Sequence, residues 1–177
     1  NKEKAKIILK KYDIKPQNII TYNDKSSDKD RKKIINLLKK LSSGGIMSEA
    51  GTPLISDPGF KLINDLINLK IKIIPLPGAT SVISSLVASG LPTDHFQFIG
   101  FFPRINKDAE SLSESLLKFD GTTIIFESPK RIIGTLNFLD QKFGNLAEVC
   151  VAKEITKMHE NFFRGTPKEI KQFLLKN

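Results

Sequence analysis

Apolar and polar positions alternate along the chain in two patterns. Apolar residues spaced three and four apart predict helices at 3–12, 30–43, a segment around 62–67, one ending at Gly90, about 111–119 and 129–143. A seventh helix is predicted to start at Thr166, where Thr-Pro-Lys-Glu is a capping box with proline at the first helical position. Short runs rich in β-branched residues predict strands at 18–22, 46–48, 71–74, 96–101, 122–126, 147–153 and 161–164. Strands that alternate with helices favour an α/β fold with a mostly parallel sheet.

The pattern restarts near residues 91–94, which indicates two units. We therefore predict an N-terminal α/β domain over residues 1–92 and a C-terminal α/β domain over residues 93–177. In parallel sheets, ligands gather beyond the carboxyl ends of the strands. The loops at 49–59 and 75–81 follow predicted strands, so we expect both at that edge of a sheet.

Composition narrows the class of protein. The 177 residues include 28 lysines and arginines against 19 acidic residues, a net charge of +9. With one cysteine, Cys150, and two histidines, neither an intramolecular disulfide nor a closed zinc site can form, and we predict no metal. No apolar run is long enough for a membrane span. The first residues are charged and lack the apolar core of a secretory signal, so a cytoplasmic protein is expected. The charge suits a nucleic-acid partner or an ordinary lysine-rich surface.

Two loops carry small and hydroxyl-bearing residues. In 48–59 the small residues would let the backbone approach an anionic ligand closely, although a plain strand-to-helix connection explains them equally well. No P-loop or dinucleotide-binding motif is present. In the second loop, 75–81, Thr80 or Ser81 would serve either as a helix N-cap or as a ligand contact. Two such loops at the edge of one sheet favour a shared ligand-binding site.

Two charged segments lie in the second half. At 127–131, Ser128 and Pro129 suit a helix start, whereas Lys130 and Arg131 oppose the helix dipole and are better candidates for a ligand. The segment 154–160 packs three charged residues and His159 into seven positions, which fits a site or a solvated turn. Cys150 lies in an apolar run and is expected to be buried and unreactive.

Five motifs occur in a characteristic order: Ser-Glu-Ala-Gly-Thr-Pro-Leu-Ile-Ser-Asp-Pro-Gly at 48–59, Pro-Gly-Ala-Thr-Ser at 77–81, Phe-Ile-Gly-Phe-Phe-Pro at 98–103, Glu-Ser-Pro-Lys-Arg at 127–131, and Glu-Ile-Thr-Lys-Met-His-Glu at 154–160. Together they resemble the ribosomal RNA small-subunit methyltransferase I family, the 16S rRNA cytidine 2′-O-methyltransferases of the tetrapyrrole methylase superfamily. The resemblance covers essentially the whole chain. The family's opening strand and usual final strand have no counterpart, so the chain resembles an interior piece of such a protein.

The resemblance implies a tetrapyrrole-methylase-like α/β fold: two small domains with S-adenosylmethionine in the cleft between them, in a homodimer. It also implies a set of cofactor-binding residues at matching motif positions: Ala50, Gly51, Thr52, Pro53, Ile55, Thr80, Ser81, Glu127 and Ser128.

The implied reaction is transfer of a methyl group to a cytidine ribose in 16S rRNA of the small ribosomal subunit. Glu160 is the first candidate for the proton acceptor, with Lys157 and His159 as alternatives. The candidate RNA contacts are Arg104, Lys107, Lys130 and Arg131. Two other hypotheses stay open: the protein is a methylase of tetrapyrrole precursors, or it is a non-catalytic RNA-binding module.

Overall fold

The computed structural model describes residues 2–23, 26–41 and 43–176. The chain divides into two compact units, residues 1–79 and 80–177, so helix α4 belongs to the second; the domain boundary at 92/93 stays a prediction. The elements are α1 (Lys2–Lys11), α2 (Asp28–Leu38), α3 (Phe60–Asn68), α4 (Ser81–Ser89), β1 (Phe96–Phe101), α5 (Asn106–Lys118), β2 (Thr122–Phe126), α6 (Ile132–Phe143), β3 (Val149–Lys153), β4 (Asn161–Gly165) and α7 (Pro167–Lys176). The mixed α/β class is confirmed.

The first unit packs around helices α2 and α3. Ile35 of α2 meets Leu62 and Leu66 of α3 in a small buried cluster. Helix α2 starts at a capping box, in which Ser27 and Asp30 exchange hydrogen bonds between side chain and backbone. Arg31 also joins the two helices, through a 2.9 Å ion pair from its Nε to Asp65 of α3.

Three strands predicted in the first unit are not formed. Segments 18–22, 46–48 and 71–74 are irregular, and within the described ranges no backbone hydrogen bond links them in a ladder. Their isoleucines remain accessible, with Ile74 65 % exposed. A strand obtains its backbone hydrogen bonds from a neighbour. A β-branched composition therefore favours strand conformation, but a segment forms a strand only when a neighbouring segment pairs with it.

The second unit contains the predicted parallel strands. β1 and β2 lie side by side in parallel and are connected through α5, and both have the predicted bounds. The register shifts between Phe98 and Phe101, where Gly100 has a φ of +77°. Helix α4 covers this pair by packing Val82 and Leu86 against Ile124. This arrangement places the basic loop, which comprises residues 102–105 and leads to Lys107 in the first turn of α5, and residues 127–131 at the carboxyl ends of adjacent strands.

The rest of the second unit joins an antiparallel hairpin to two helices. β3 and β4 pair in antiparallel fashion, because the turn between them is too short for the crossover that a parallel pair needs. Helix α7 starts with the predicted capping box, in which Thr166 and Glu169 exchange hydrogen bonds. Leu136 of α6 and Ile170 of α7 are almost completely buried.

Three predicted helix bounds are wrong by several residues. Helix α2 ends at Leu38, where tighter turns follow, instead of reaching residue 43. Helix α5 starts at Asn106 and not near residue 111. The prediction missed the first turns because they bury only the small residues Ala109 and Ser113 and therefore lack a strong apolar pattern. Helix α6 starts at Ile132, after a turn through residues 129–131.

None of the helices in the described part of the chain combines the length and apolar character needed to cross a membrane.

Candidate active site

The loop at 48–59 in the first unit has an unusual backbone. Gly51 has a φ of +69°, and two non-glycine residues, Leu54 and Ser56, also have positive φ values, of 71° and 55°. Ser48 closes the turn by sharing its hydroxyl between the carbonyl oxygens of Ala50 and Gly51. Residues in the left-handed region are costly unless the surroundings impose them, and they are enriched in ligand-binding loops.

The second loop of the first unit is tied directly to this one. The Thr52 hydroxyl donates a 3.0 Å hydrogen bond to the carbonyl oxygen of Ala79. A Cβ atom placed on Gly51 or on Gly78 would meet no protein atom within 4 Å. The two loops predicted to share a site therefore meet, and each presents open backbone of the kind that lets a flat ligand approach closely.

The remaining predicted cofactor contacts of the first unit lie on the same loop. Ala50 and Ile55 are exposed, and Pro53 is partly buried between them. The sequence offered no signal for the Thr52–Ala79 contact, since the two residues are 27 positions apart.

Helix α4 of the second unit begins at the predicted hydroxyl turn. Thr80 is its N-cap residue and makes no capping hydrogen bond with its side chain, so simple N-capping does not account for this hydroxyl. The adjacent Ser81 is exposed. The other end of α4 is anchored by Arg164, whose guanidinium donates to the carbonyl oxygens of Ala88 and Ser89. A cation at the C-terminus also complements the helix dipole.

The junction of β2 and α6 is built around a buried carboxylate. The side chain of Glu127 is only 6 % exposed. Its Oε1 accepts a 2.7 Å hydrogen bond from the backbone N–H of Ser128, and its Oε2 accepts one of 2.7 Å from the Thr135 hydroxyl. Both carboxylate oxygens are thus used within the protein. Thr135, which sequence reasoning missed, is a helical residue with no local pattern to mark it.

The four predicted RNA contacts fall into two groups. Arg104, Lys107 and Lys130 are exposed, and none has an ion-pair partner among the described residues. Arg131 is 29 % exposed and lies 3.4 Å from Glu127. Its Nη2 donates to the carbonyl oxygens of Phe102 and Pro103, at 3.0 Å and 2.9 Å. Arg131 therefore joins the start of α6 to residues 102–105, the basic loop between β1 and α5.

The three candidate catalytic residues lie in the turn between β3 and β4. Glu160, Lys157 and His159 are all exposed. The Oε2 atom of Glu160 accepts a 2.6 Å hydrogen bond from the backbone N–H of Thr156, whose φ is +67°. Such a φ is a clear outlier for a β-branched residue, and the carboxylate of Glu160 helps to hold it. In the described chain, no hydrogen bond or ion pair links this turn to the basic loop.

Cys150 is the single cysteine of the chain, and its surroundings decide its reactivity. Cys150 on β3 is partly buried, and burial raises the pKa of its thiol, an effect opposed in part by Arg164. A raised pKa disfavours the reactive thiolate. Within the described ranges, no group of three or more potential ligands from histidine, cysteine, aspartate and glutamate is gathered in one place.

Comparisons with known proteins give a consistent result. Residues 2–171 match the family model of the tetrapyrrole (corrin/porphyrin) methylases. A Hydrogenobaculum protein named ribosomal RNA small subunit methyltransferase I is 41 % identical over 174 residues, which cover 98 % of this chain and 74 % of that protein. Proteins of the same name from Rickettsia prowazekii and Thermotoga maritima are 43 % and 38 % identical over 88 % and 92 % of this chain.

These matches show the family of the chain and a group within that family. The chain belongs to the tetrapyrrole methylase family and, within it, to the group of ribosomal RNA small subunit methyltransferase I proteins. It spans 74 %, 55 % and 72 % of the lengths of the three relatives. The resemblance drawn from the five motifs is confirmed.

Proposed function

We propose that the protein transfers a methyl group from S-adenosylmethionine to the 2′-hydroxyl of a cytidine in 16S rRNA. The observation that carries the proposal is the 41 % identity, over 98 % of this chain, to a protein named as a small-subunit rRNA methyltransferase. The exposed side chains of Arg104, Lys107 and Lys130 support an RNA substrate, because phosphate contacts dominate the affinity of nucleic-acid binding. A substrate of this kind implies action in the cytoplasm.

The loops of the first unit fit S-adenosylmethionine. Open backbone at Gly51 and Gly78 offers room for a flat ring. The Thr52 hydroxyl holds the two loops together, and Ala50, Pro53 and Ile55 supply apolar surface beside them. In the second unit, Thr80 and Ser81 offer hydroxyls at the start of α4. Glu127 and Ser128 stay candidate contacts; the carboxylate of Glu127 is already hydrogen-bonded within the protein, which leaves the backbone for that role.

When bound, S-adenosylmethionine supplies a methyl group on a positively charged sulfur. The task of the protein is to hold the ribose 2′-oxygen in line with that methyl group and to accept the proton of the 2′-hydroxyl. Alignment alone lowers a barrier by about 7–11 kcal/mol in favourable cases. Glu160 is the proposed proton acceptor, because its carboxylate is exposed and only Oε2 is used by the turn. Lys157 and His159 are the alternatives on the same turn.

The test is transfer of radiolabelled methyl groups by the full-length gene product. Unmodified small ribosomal subunits, naked 16S rRNA and a uroporphyrinogen-type tetrapyrrole serve as parallel acceptors, and the modified ribose is then mapped. We expect label on a cytidine 2′-oxygen in the subunits and none on the tetrapyrrole. Label on the tetrapyrrole alone would reject the proposal, and RNA binding without methyl transfer would favour a binding module. Sedimentation of the same preparation tests the predicted homodimer.

A further inference from the structure

The guanidinium of Arg131 lies at the point where the chain leaves β1. Its Nη2 donates to two successive carbonyl oxygens, those of Phe102 and Pro103. The same nitrogen is 3.4 Å from Oε2 of Glu127. The two N–H groups of Nη2 are thus used by the carbonyl oxygens of 102–103, while the positive charge forms an ion pair with the carboxylate at the β2–α6 junction.

Glu127 is held in turn from two sides. The backbone N–H of Ser128 and the hydroxyl of Thr135 both donate to it at 2.7 Å. Because the carboxylate is buried and hydrogen-bonded through both oxygens, it forms a rigid base for Arg131. A charged group with several fixed partners loses much of its freedom to turn towards another ligand.

The residues that Arg131 contacts are otherwise well fixed. The Phe102 N–H donates a 3.1 Å hydrogen bond to the carbonyl oxygen of Phe126 on β2. The Phe102 ring is buried and packs against Phe138 of α6, with 5.5 Å between the ring centroids. The chain beyond Pro103 becomes exposed, beginning with Arg104. Arg131 therefore acts on the anchored start of the basic loop.

We propose that Arg131 is a positioning residue, which clamps the segment 102–105 that leads into α5, so that Arg104 of this segment and Lys107 of the first turn of α5 are presented beside Lys130. This inference rests on the proposed RNA-binding role of that surface. Arg131 contacts Pro103, and the residues next to these two in sequence are Lys130 and Arg104. The clamp thereby brings the two basic segments together. In the competing interpretation, the remaining N–H groups of Arg131 bind a phosphate directly.

Limited trypsin digestion tests the clamp without RNA. Arg131→Lys keeps the charge, but its nitrogen ends one bond short of the Nη2 position that contacts both carbonyl oxygens and the carboxylate. We expect cleavage after Arg104 and Lys107 to accelerate about 10-fold or more, as for loss of one hydrogen bond from a charged donor. Glu127→Gln should act in the same direction. Cleavage after Lys118, in the same unit, reports general unfolding and should remain unchanged, and Lys130→Ala is the matched control with wild-type cleavage throughout.

Binding to unmodified small subunits at several salt concentrations completes the test. If Arg131 is a clamp, Glu127→Gln and Arg131→Lys both weaken binding. If Arg131 contacts a phosphate, Glu127→Gln strengthens binding, because it removes a competing negative charge, and Arg131→Lys retains most of the affinity. For Lys130→Ala, a direct contact predicts that the slope of log affinity against log salt falls by roughly 0.7–0.9.

The two proposals fail in different ways. Unchanged cleavage in both clamp variants, or tighter subunit binding by Glu127→Gln, overturns the clamp. If the wild-type protein does not bind subunits at all, the proposed function fails, while the cleavage rates still decide whether Arg131 holds the loop.

Discussion

Replacing Thr135 by valine tests whether the buried carboxylate at the β2–α6 junction depends on hydrogen bonds. Valine has nearly the same shape but removes the hydroxyl that donates 2.7 Å to Glu127. Thr135 is a buried residue, so water cannot replace the lost donor. A hydrogen bond to a charged group is worth about 1.5–3 kcal/mol, and we expect the free energy of unfolding to fall by that amount.

Thr135→Ser is the matched control, because it keeps the hydroxyl and removes one methyl group. Its cost is roughly 1 kcal/mol from lost apolar burial. Valine and threonine are both β-branched and have similar helix propensities, so propensity does not distort the comparison. The valine variant should therefore be the less stable of the two.

Urea unfolding followed by circular dichroism measures both variants. The order of stabilities decides the question: if serine costs as much as valine or more, packing and not the hydrogen bond maintains the junction. A double-mutant cycle with Glu127→Gln adds a second check. The difference between valine and serine should shrink in the glutamine background, since the charged acceptor is then gone, and an unchanged difference would contradict the assignment.

Three further predictions concern the loops and the last helix. Gly78→Ala should leave stability nearly unchanged, because the added Cβ meets no protein atom, but it should weaken S-adenosylmethionine binding measured by calorimetry. Gly45→Ala, at an equally open position, is the control, and equal affinities of the two variants for S-adenosylmethionine would exclude the 75–81 loop from the site. Glu160→Gln retains an acceptor for the Thr156 N–H and should reduce turnover far more than cofactor affinity, whereas unchanged turnover would exclude Glu160 as the proton acceptor. Hydrogen bonds from Thr166 lower the pKa of Glu169 below its ordinary value of 4.5. The charged carboxylate therefore makes its full contribution to stability above pH 4.5 and loses it progressively as the pH falls through the lowered pKa. Unfolding curves of Glu169→Gln should therefore differ from wild type near neutral pH and converge in acid; a difference independent of pH would refute this.

The parts of this fold that local residues specify were predictable. The bounds of β1 and β2 follow from short apolar runs between polar segments, and the start of α7 follows from a capping box contained within residues 166–169. The five motifs were likewise recognisable because each is continuous in sequence. In all these cases the interacting residues are neighbours along the chain, so no distant partner has to be known.

Features that need a distant partner emerged only in the folded chain. Segments 18–22, 46–48 and 71–74 have strand-like composition but lack a hydrogen-bonded neighbour in the described structure. Arg131 meets carbonyl oxygens 28 and 29 positions away, so a residue that looked like a phosphate ligand is held by the backbone of another loop. The positive charge of an arginine is fixed by its type, but which acceptors satisfy it depends on the segments that folding brings within hydrogen-bonding distance.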